Sequence, residues 1–550
     1  MLRQLLPVLL FFSSFTSQAA GKQIQFTEQP HATSIWKDSV QISWSTNIPS
    51  VGVALVNENK RSIIGGDFND RFSGGIVTEH SLILKNLQPG HIYKVLVCAL
   101  GDDTAWSQEK YIATQSASTG KFTVYFTSPV DTSASTGVNA TYLNNVVDDT
   151  LVQYINRAIY SLDIAIYNTT NSSSVADIAG ALNSAHARGI RIRVIYDGSV
   201  TNTMIPNLDT AIKRMASPQG SPYNIMHNKF VVIDADANNP NLSYVWTGST
   251  NWTTSQINGT DKNNVIIIQD QSLAQAYKTE FEEMWGDTGS VPNPNTAKFG
   301  PYKTDNTPHL FNIGGKTVEC YFSPSDNVNT HLLNTIGTTN TDMEFATMVI
   351  TRTDIADSIV AKVNASIFHT YGLVDDSVQT STWSILKSGM LPHTMVSHTG
   401  QTGIMHNKYL IVDQSDVNSD PLVWTGSHNW STAANTQNDE NTVVVHDDTI
   451  ANIYYQNFVH LFTQHGGIMG VNEIATDDFG VYPNPSTGNV TLSLEKDGKV
   501  KLFNLLGSEI GSWNFESGLH NIDISSFAKG IYLLRFTSAD QSFTEKLVIE

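Results

Sequence analysis

Cysteine is nearly absent. Cys98 and Cys320 are the two in 550 residues, which excludes both a disulfide framework and a cysteine-rich zinc site. Charged residues make up only 15%, and the basic ones are outnumbered, 32 Lys and Arg against 51 Asp and Glu, for a net charge of −19. That balance repels polyphosphates at long range and argues against unspecific coating of nucleic acid, while leaving room for a local basic pocket. No stretch after the first twenty residues approaches the ~20 consecutive apolar residues of a membrane span. What the chain does have is apolar material, 40% of its residues, and that supports packed cores rather than disorder. At roughly 150 residues per domain its length predicts about three to four domains.

Residues 1–20 carry Arg3, the apolar run Leu5 to Phe12, and a small-residue end at Ser17-Gln18-Ala19-Ala20. This layout predicts a secretory signal peptide and an exported, soluble mature chain. Residues 22–115 alternate with period two in runs such as Val40 to Trp44 and Tyr93 to Val97, with turn residues between them, which predicts a β-sandwich. The segment Leu87-Gln88-Pro89-Gly90-His91-Ile92-Tyr93, with Trp44, resembles the fibronectin type III domain. That resemblance implies a spacer or surface-binding unit rather than a catalytic one.

After the linker Ser116 to Gly120 the pattern becomes alternating strand and helix. A helix is expected over Asp148 to Tyr160, with Ile155, Ala158 and Ile159 on its apolar face, and a strand over Ser161 to Tyr167. The pair Ser174 and Asp177 reads as the start of a helix that Gly189 stops. Here the chain repeats itself. Met226-His227-Asn228-Lys229 through Asp234 returns as Met405-His406-Asn407-Lys408 through Asp413, and Trp246-Thr247-Gly248-Ser249-Thr250-Asn251-Trp252 returns as Trp424-Thr425-Gly426-Ser427-His428-Asn429-Trp430. Two homologous α/β lobes follow, at 121–290 and 316–466. From Val481 onward short strands and turns resume, giving a second β-sandwich at 479–550. The fold class is thus multidomain, an α/β core of two homologous lobes flanked by N- and C-terminal β-sandwiches.

His-x-Lys on a strand places imidazole and ammonium on one face. Lysine supplies a fixed charge for nonbridging phosphate oxygens, and histidine a nucleophile or proton carrier near neutral pH. A buried strand-end Asp needs a polar partner. Gly248 permits a close backbone approach, while Ser249 and Asn251 offer neutral donors to an anion. The same Lys, Asp, Gly-Ser and Asn would not be needed twice around a merely structural histidine. Metal ligation is the rival reading, but lysine beside each histidine and no further carboxylate or thiol cluster suit a metal poorly, so no metal or cofactor is expected.

These residues resemble the phospholipase D superfamily, whose signature is His-x-Lys-x4-Asp followed by a Gly-Ser segment with Asn. The resemblance implies catalytic His227, Lys229, Asp234, His406, Lys408 and Asp413, and phosphate binding by Ser249, Asn251, Ser427 and Asn429. It further implies a phospholipase D-like α/β sandwich in which the lobes pack about a pseudo-twofold axis with one active site between them, a phosphohistidine forming on one His while the other protonates the leaving alcohol. By the usual assignment His227 is the nucleophile. Each Asp would orient a histidine or its own neighbourhood. Glu440 matches an acidic residue often found after the motif, whereas the first lobe has Asn263 at that place. The segments Asp236 to Ser243 and Ser415 to Asp420 exceed the usual Asp-to-Gly spacing and suggest hairpins near the site.

Tyr482-Pro483-Asn484-Pro485, Lys529-Gly530-Ile531-Tyr532 and Lys546-Leu547-Val548 resemble the type IX secretion C-terminal sorting domain. This implies passage across an outer membrane by that machinery, to secretion or surface attachment. The substrate expectation is a phospholipid or other phosphodiester, hydrolysed with transient contact to a membrane surface. A secreted metal-independent endonuclease, with nucleic acid as partner, is the alternative. It draws on Arg188, Arg191 and Arg193, though these alternate into a buried strand. The tryptophans of the repeat could line a head-group pocket, stack on bases or pack beneath the motif, and Met390-Leu391-Pro392 could form an interfacial lip.

Overall fold

The computed structural model describes residues 23–58, 75–365, 367, 369–376, 380–469, 479–494, 496–505, 507–538 and 542–549. The expected signal peptide lies outside them. The chain divides into two compact units, Met1–Gly467 and Ile468–Glu550.

The first unit begins with antiparallel strands Phe26–Ile35, Val40–Glu58, Val77–Leu84, Ile92–Leu100, Thr104–Trp106 and Lys110–Ala113. Val40–Glu58 serves two layers, its first half pairing with Phe26–Ile35 and Val77–Leu84 and its second half with Ile92–Leu100. The inward members of each alternating run, Val40, Ile42, Trp44, Val95 and Val97 among them, form one core. At the corner after Pro89-Gly90, the Tyr93 hydroxyl accepts a hydrogen bond from the Gln88 N–H at 2.7 Å.

The α/β part holds two eight-stranded sheets whose first seven strands share one connectivity, the edge strand at the eighth place pairing parallel in the first sheet and antiparallel in the second. In the first the order is Lys213–Ala216, Arg191–Tyr196, Ser161–Ile166, Lys229–Ile233, Tyr244–Gly248, Asn264–Ile268, Phe122–Phe126, Thr141–Tyr142. The second runs Met395–Ser397, His369–Val374, Asp342–Thr347, Lys408–Val412, Leu422–Gly426, Glu440–His446, Lys316–Ser323, Leu310–Ile313. The first three strands of each are parallel and the following four antiparallel. The two motif strands are therefore central, fourth in each sheet, and wholly buried.

Helices Val147–Arg157 and Ser173–Ala187 share the core of the first lobe, and Val328–Thr338, Thr353–Asn364 and Thr380–Gly389 that of the second. Helices Gln271–Trp285 and Asp448–Gln464 start under matching aspartate caps, Asp270 accepting from Leu273 N and Asp447 from Ile450 N. They tie the lobes together. Tyr277 packs edge-on against Phe230 of its own lobe and Phe322 of the other, and Tyr454 does the same with Tyr409 and Phe126.

Some boundaries differ from expectation. The helix expected to reach Tyr160 ends at Arg157, which leaves Ile159 half-exposed. The next helix starts at Ser173 with Ser172 in the cap position, so Ser174 lies inside it. Met390 is buried in the second lobe's core rather than forming a lip.

The second unit packs a three-stranded sheet, Phe479–Tyr482, Asn489–Leu494 and Gly518–Asp523, with a four-stranded one, Gly498–Asn504, Glu509–Phe515, Gly530–Thr537 and Ser542–Ile549. Phe479, Val490, Leu492, Val500, Leu502, Leu534, Phe536 and Leu547 fill the space between.

Candidate active site

His227 and His406 immediately precede the two motif strands, where backbone bonds from the opposite lobe hold them. His227 N donates to Asp439 O and His406 N to Lys262 O, both at 2.8 Å. Behind them, Asn264 Nδ2 donates to Asn407 Oδ1 and Asn441 Nδ2 to the Thr247 hydroxyl, again from lobe to lobe. Both imidazoles are buried, 5% and 4% exposed. Lys229 and Lys408 sit on the first residue of each strand, each donating its Nζ to the carbonyl oxygen of its own histidine at 2.8 Å. The spacing that puts i and i+2 on one face has thus assembled two His-Lys pairs in one buried centre.

The partners of the imidazoles cross the lobe boundary. His227 Nδ1 lies 2.7 Å from Glu440 Oε2, and His406 Nδ1 lies 2.9 Å from Asn263 Oδ1. The serines complete the pattern: Ser427 Oγ donates to the same Glu440 oxygen at 2.7 Å and Ser249 Oγ to the same Asn263 oxygen at 2.9 Å. Ser249 and Ser427, expected to hold phosphate, are fully buried and spend their hydroxyls here. Asn251 Oδ1 and Asn429 Oδ1 are buried without a hydrogen-bond partner among the described residues. Turned about, each amide would offer its NH2 group to a phosphate oxygen.

Gly248 and Gly426 explain why the segment needs glycine. At φ 139° and 148°, a Cβ would stand 2.3 Å from Asn264 O and 2.2 Å from Asn441 O. That approach brings each serine under its amide or carboxylate.

Burial and mutual repulsion set the charges. His227 is held well below the ordinary imidazole value by desolvation, then by Lys229 and Lys408. His406 is held down by burial, Lys408, Lys229 and His227. Lys229 falls well below its usual range through burial, against the pull of Glu440. Burial pushes Lys408 down to about 7, with Glu440 and Asp375 opposing. Glu440 is raised by its own desolvation, with Lys229 the chief counterweight. An anion placed among these groups relieves the repulsion between the cations and returns charge to them.

Asp234 and Asp413 do not orient the histidines. They stand past the other end of the motif strands, about five residues and ~16 Å along from the lysines. Each adopts a left-handed backbone, φ 51° and 55°. Asp234 accepts from the backbone N–H groups of Ile159, Tyr160 and Ser161, and Asp413 from those of Asn340 and Thr341. Their partner is the start of the neighbouring strand. The segments Asp236 to Ser243 and Ser415 to Asp420 leave from the same end, so they lie away from the imidazoles rather than near them.

Other expectations resolve as packing. Trp246, Trp252, Trp424 and Trp430 are buried in the lobe cores. Arg193 is fully buried against Asp163 at 2.6 Å and Glu282 at 3.3 Å, and Arg191 also reaches Asp163. Sequence reading passed over Tyr167, whose ring meets that of His227 at 4.8 Å and lies under Lys229 Nζ at 5.2 Å.

Residues 151–285 and 332–462 match the model of the cardiolipin synthase, PLD-like domain, and residues 480–550 that of the secretion system C-terminal sorting domain. Among curated proteins, the mitochondrial cardiolipin hydrolase of Drosophila melanogaster is 32% identical over 150 residues, 24% of this chain and 57% of that protein. That of Xenopus tropicalis is 34% identical over 132 residues, 24% of this chain and 56% of that protein. The chain thus spans just over half the length of these relatives. Among solved structures, the phosphatidylserine synthase of Haemophilus influenzae Rd KW20 aligns at 11% identity and TM-score 0.44, over 62% of this chain and 86% of that one. Nuc from Salmonella typhimurium, a phospholipase D family member, aligns at 20% identity and TM-score 0.23, over 30% and 95%.

Proposed function

The two central lobes of this chain are phospholipase D-like domains and its last residues a type IX secretion sorting domain, and from that premise we propose an exported phosphodiesterase that hydrolyses phospholipid head-group diesters through a phosphohistidine. The observation that carries the reading is the pairing of two buried His-Lys units, each held by a side chain from the opposite lobe.

In this scheme Lys229 and Lys408 hold the nonbridging oxygens, aided by the Asn251 and Asn429 amides. His227 donates its Nδ1 proton to Glu440, which leaves the Nε2 lone pair to attack phosphorus. As the N–P bond forms, the bond to the head-group oxygen breaks, and that oxygen takes a proton from His406, charged once the anion is bound. The freed alcohol leaves. Water then gives a proton back to His406 as its oxygen attacks phosphorus, the N–P bond breaks, and phosphatidic acid departs with His227 restored. No step calls for a metal. The endonuclease reading drew on Arg191 and Arg193, whose guanidinium groups serve Asp163.

The test incubates the full chain, in excess EDTA, with phosphatidylcholine or cardiolipin vesicles and follows phosphatidic acid and the freed alcohol. Release that persists in EDTA and stops in His227→Ala supports the reading. Intact lipid beside degraded single-stranded DNA would replace it with the nuclease.

A further inference from the structure

His227 and His406 are each held at Nδ1 by a side chain of the opposite lobe, and one such bond fixes a point on an imidazole without fixing the plane of its ring. What lies beside each ring differs between the lobes, and register fixes which residues correspond. Lys229 pairs with Ile166 and Lys408 with Thr347, while Thr169 bridges to Trp252 and Ile350 to Trp430. Tyr167 of the first lobe therefore answers to Met348 of the second.

Tyr167 gives His227 a plane to rest on. The two ring centroids are 4.8 Å apart with the rings at 66°, the edge-to-face arrangement that aromatic pairs favour. The Lys229 ammonium lies 5.2 Å over the same ring, so one side chain braces both members of the first His-Lys pair. The backbone that carries it is itself fastened. Asn202 Nδ2 donates to Tyr167 O at 3.3 Å, Trp252 N to Asn168 O at 3.0 Å and Thr170 N to Trp252 O at 2.9 Å. Burial, then Asp197 and Glu440, push the phenol above its usual range and keep the ring neutral. Its hydroxyl takes no hydrogen-bond partner among the described residues, so the ring is what Tyr167 contributes. Met348 is of another kind. Its Sδ stands 3.7 Å from Lys408 Nζ, and an unbranched thioether with three rotatable bonds imposes no plane on a neighbour.

We propose that Tyr167 is a positioning residue, its ring fixing the plane of the His227 imidazole so that Nε2 stays in line with the bond to be broken and sets His227 apart from His406. This role rests on the phosphohistidine reading above and adds what orients the attacking ring. A nucleophile must approach phosphorus along the axis of the departing oxygen, whereas a general acid needs hydrogen-bond reach to that oxygen. The braced imidazole suits the first task and the unbraced one the second.

The test gives the full chain bis(p-nitrophenyl) phosphate, whose p-nitrophenolate departs with the electron pair of its P–O bond as the N–P bond forms and needs no proton from His406. Its release therefore reports the attack of His227 alone. In the pre-steady state the rate of release reads N–P bond formation and the amplitude reads the fraction of molecules that react, so a variant that folds poorly loses amplitude rather than rate. Tyr167→Met gives the first lobe the residue of the second, and Tyr167→Phe keeps the ring. The rate should fall on the order of 10²-fold in Tyr167→Met, as a misplacement of about 1 Å does, with KM within a few-fold. In Tyr167→Phe it should stay within a few-fold of wild type. Acid-quenched wild-type enzyme should carry the phosphoryl group on His227. An unslowed Tyr167→Met, a Tyr167→Phe as slow as Tyr167→Met, or a phosphoryl group on His406 overturns the positioning role while leaving the phosphohistidine standing. Release of p-nitrophenolate with no phosphohistidine on either residue overturns the reading beneath it.

Discussion

His227 and Glu440 belong to different lobes, yet the imidazole Nδ1 of one stands 2.7 Å from the carboxylate of the other. The corresponding contact, His406 to Asn263, has the same geometry and no charge. Near-identical motifs thus acquire unlike environments. A carboxylate fixes the tautomer of His227 and stabilises the charge that grows on the ring as it attacks, whereas an amide only orients His406. Glu440→Gln keeps the shape and removes the charge. It should lower kcat on the order of 10²-fold with a small change in KM, and single-turnover acid quench should show slower phosphohistidine formation. An unchanged rate of that step would remove Glu440 from the chemistry.

Asn263→Asp tests the other side. A carboxylate beside His406 favours its imidazolium and raises its pKa, so a larger fraction of the free enzyme starts with the general acid protonated. The acid needed to expel the alcohol becomes more available, while its return as a base for water becomes harder. The expected result is an upward shift in the limb of the pH–rate profile that belongs to His406, and accumulation of phosphohistidine in the steady state. A profile that superimposes on wild type would show that the two imidazoles do not depend on their cross-lobe partners.

Lys408 gives a pH dependence with a definite sign. An ammonium held down to about 7 is charged below that pH and lost above it, so kcat/KM, which reports the free enzyme, should decline as pH rises through about 7. His227, which must be uncharged to attack, is held below its ordinary range, which puts the acid limb well under 6.5. Bound diester restores the ammonium, so kcat itself should decline at higher pH than kcat/KM. Lys408→Arg, charged throughout, should remove the part of the decline that Lys408 contributes near 7, leaving the limbs of Lys229 and His406. A decline near 7 unchanged in that variant assigns it to another group.

Much of this was legible in the chain. Period-two runs, the strand-helix alternation and the duplicated motif located both lobes, because a residue pattern that must converge on phosphate leaves a fixed spacing on each strand. The lysines and histidines were readable for that reason. The partners of Glu440 and Asn263 were not, because pairing across the lobes follows from tertiary docking and leaves no local spacing. The partners the serine hydroxyls take here were not legible either: a hydroxyl can donate to phosphate or to a neighbouring amide or carboxylate, and the close approach at Gly248 and Gly426 sets them beside Asn263 and Glu440. Asp234 and Asp413 were expected to orient a histidine or to hold their own neighbourhood, and their hydrogen bonds are of the second kind. Their place five residues after each lysine looks like chemistry, yet a strand five residues long carries the side chain to its opposite end.

That displacement makes a last prediction. The carboxylate of Asp234 receives three backbone N–H groups at 2.7 to 2.8 Å, fastening the end of the motif strand to the start of its neighbour, in a buried position. Asp234→Ala leaves those donors without an acceptor, at about 1–3 kcal/mol for a buried unsatisfied group, and places alanine at a left-handed φ of 51°, a further ~1 kcal/mol. The melting midpoint should drop by several degrees, and urea unfolding should show lost stability at unchanged m-value. Below that transition, kcat per folded molecule should stay within a few-fold of wild type, since the imidazoles and their cross-lobe partners are untouched. His227→Ala should do the reverse, abolishing turnover with little cost in melting temperature. A folded Asp234→Ala enzyme that had lost turnover 10²-fold or more would return this aspartate to the catalytic machinery, and the separation between scaffold and chemistry drawn along the strand would have to be abandoned.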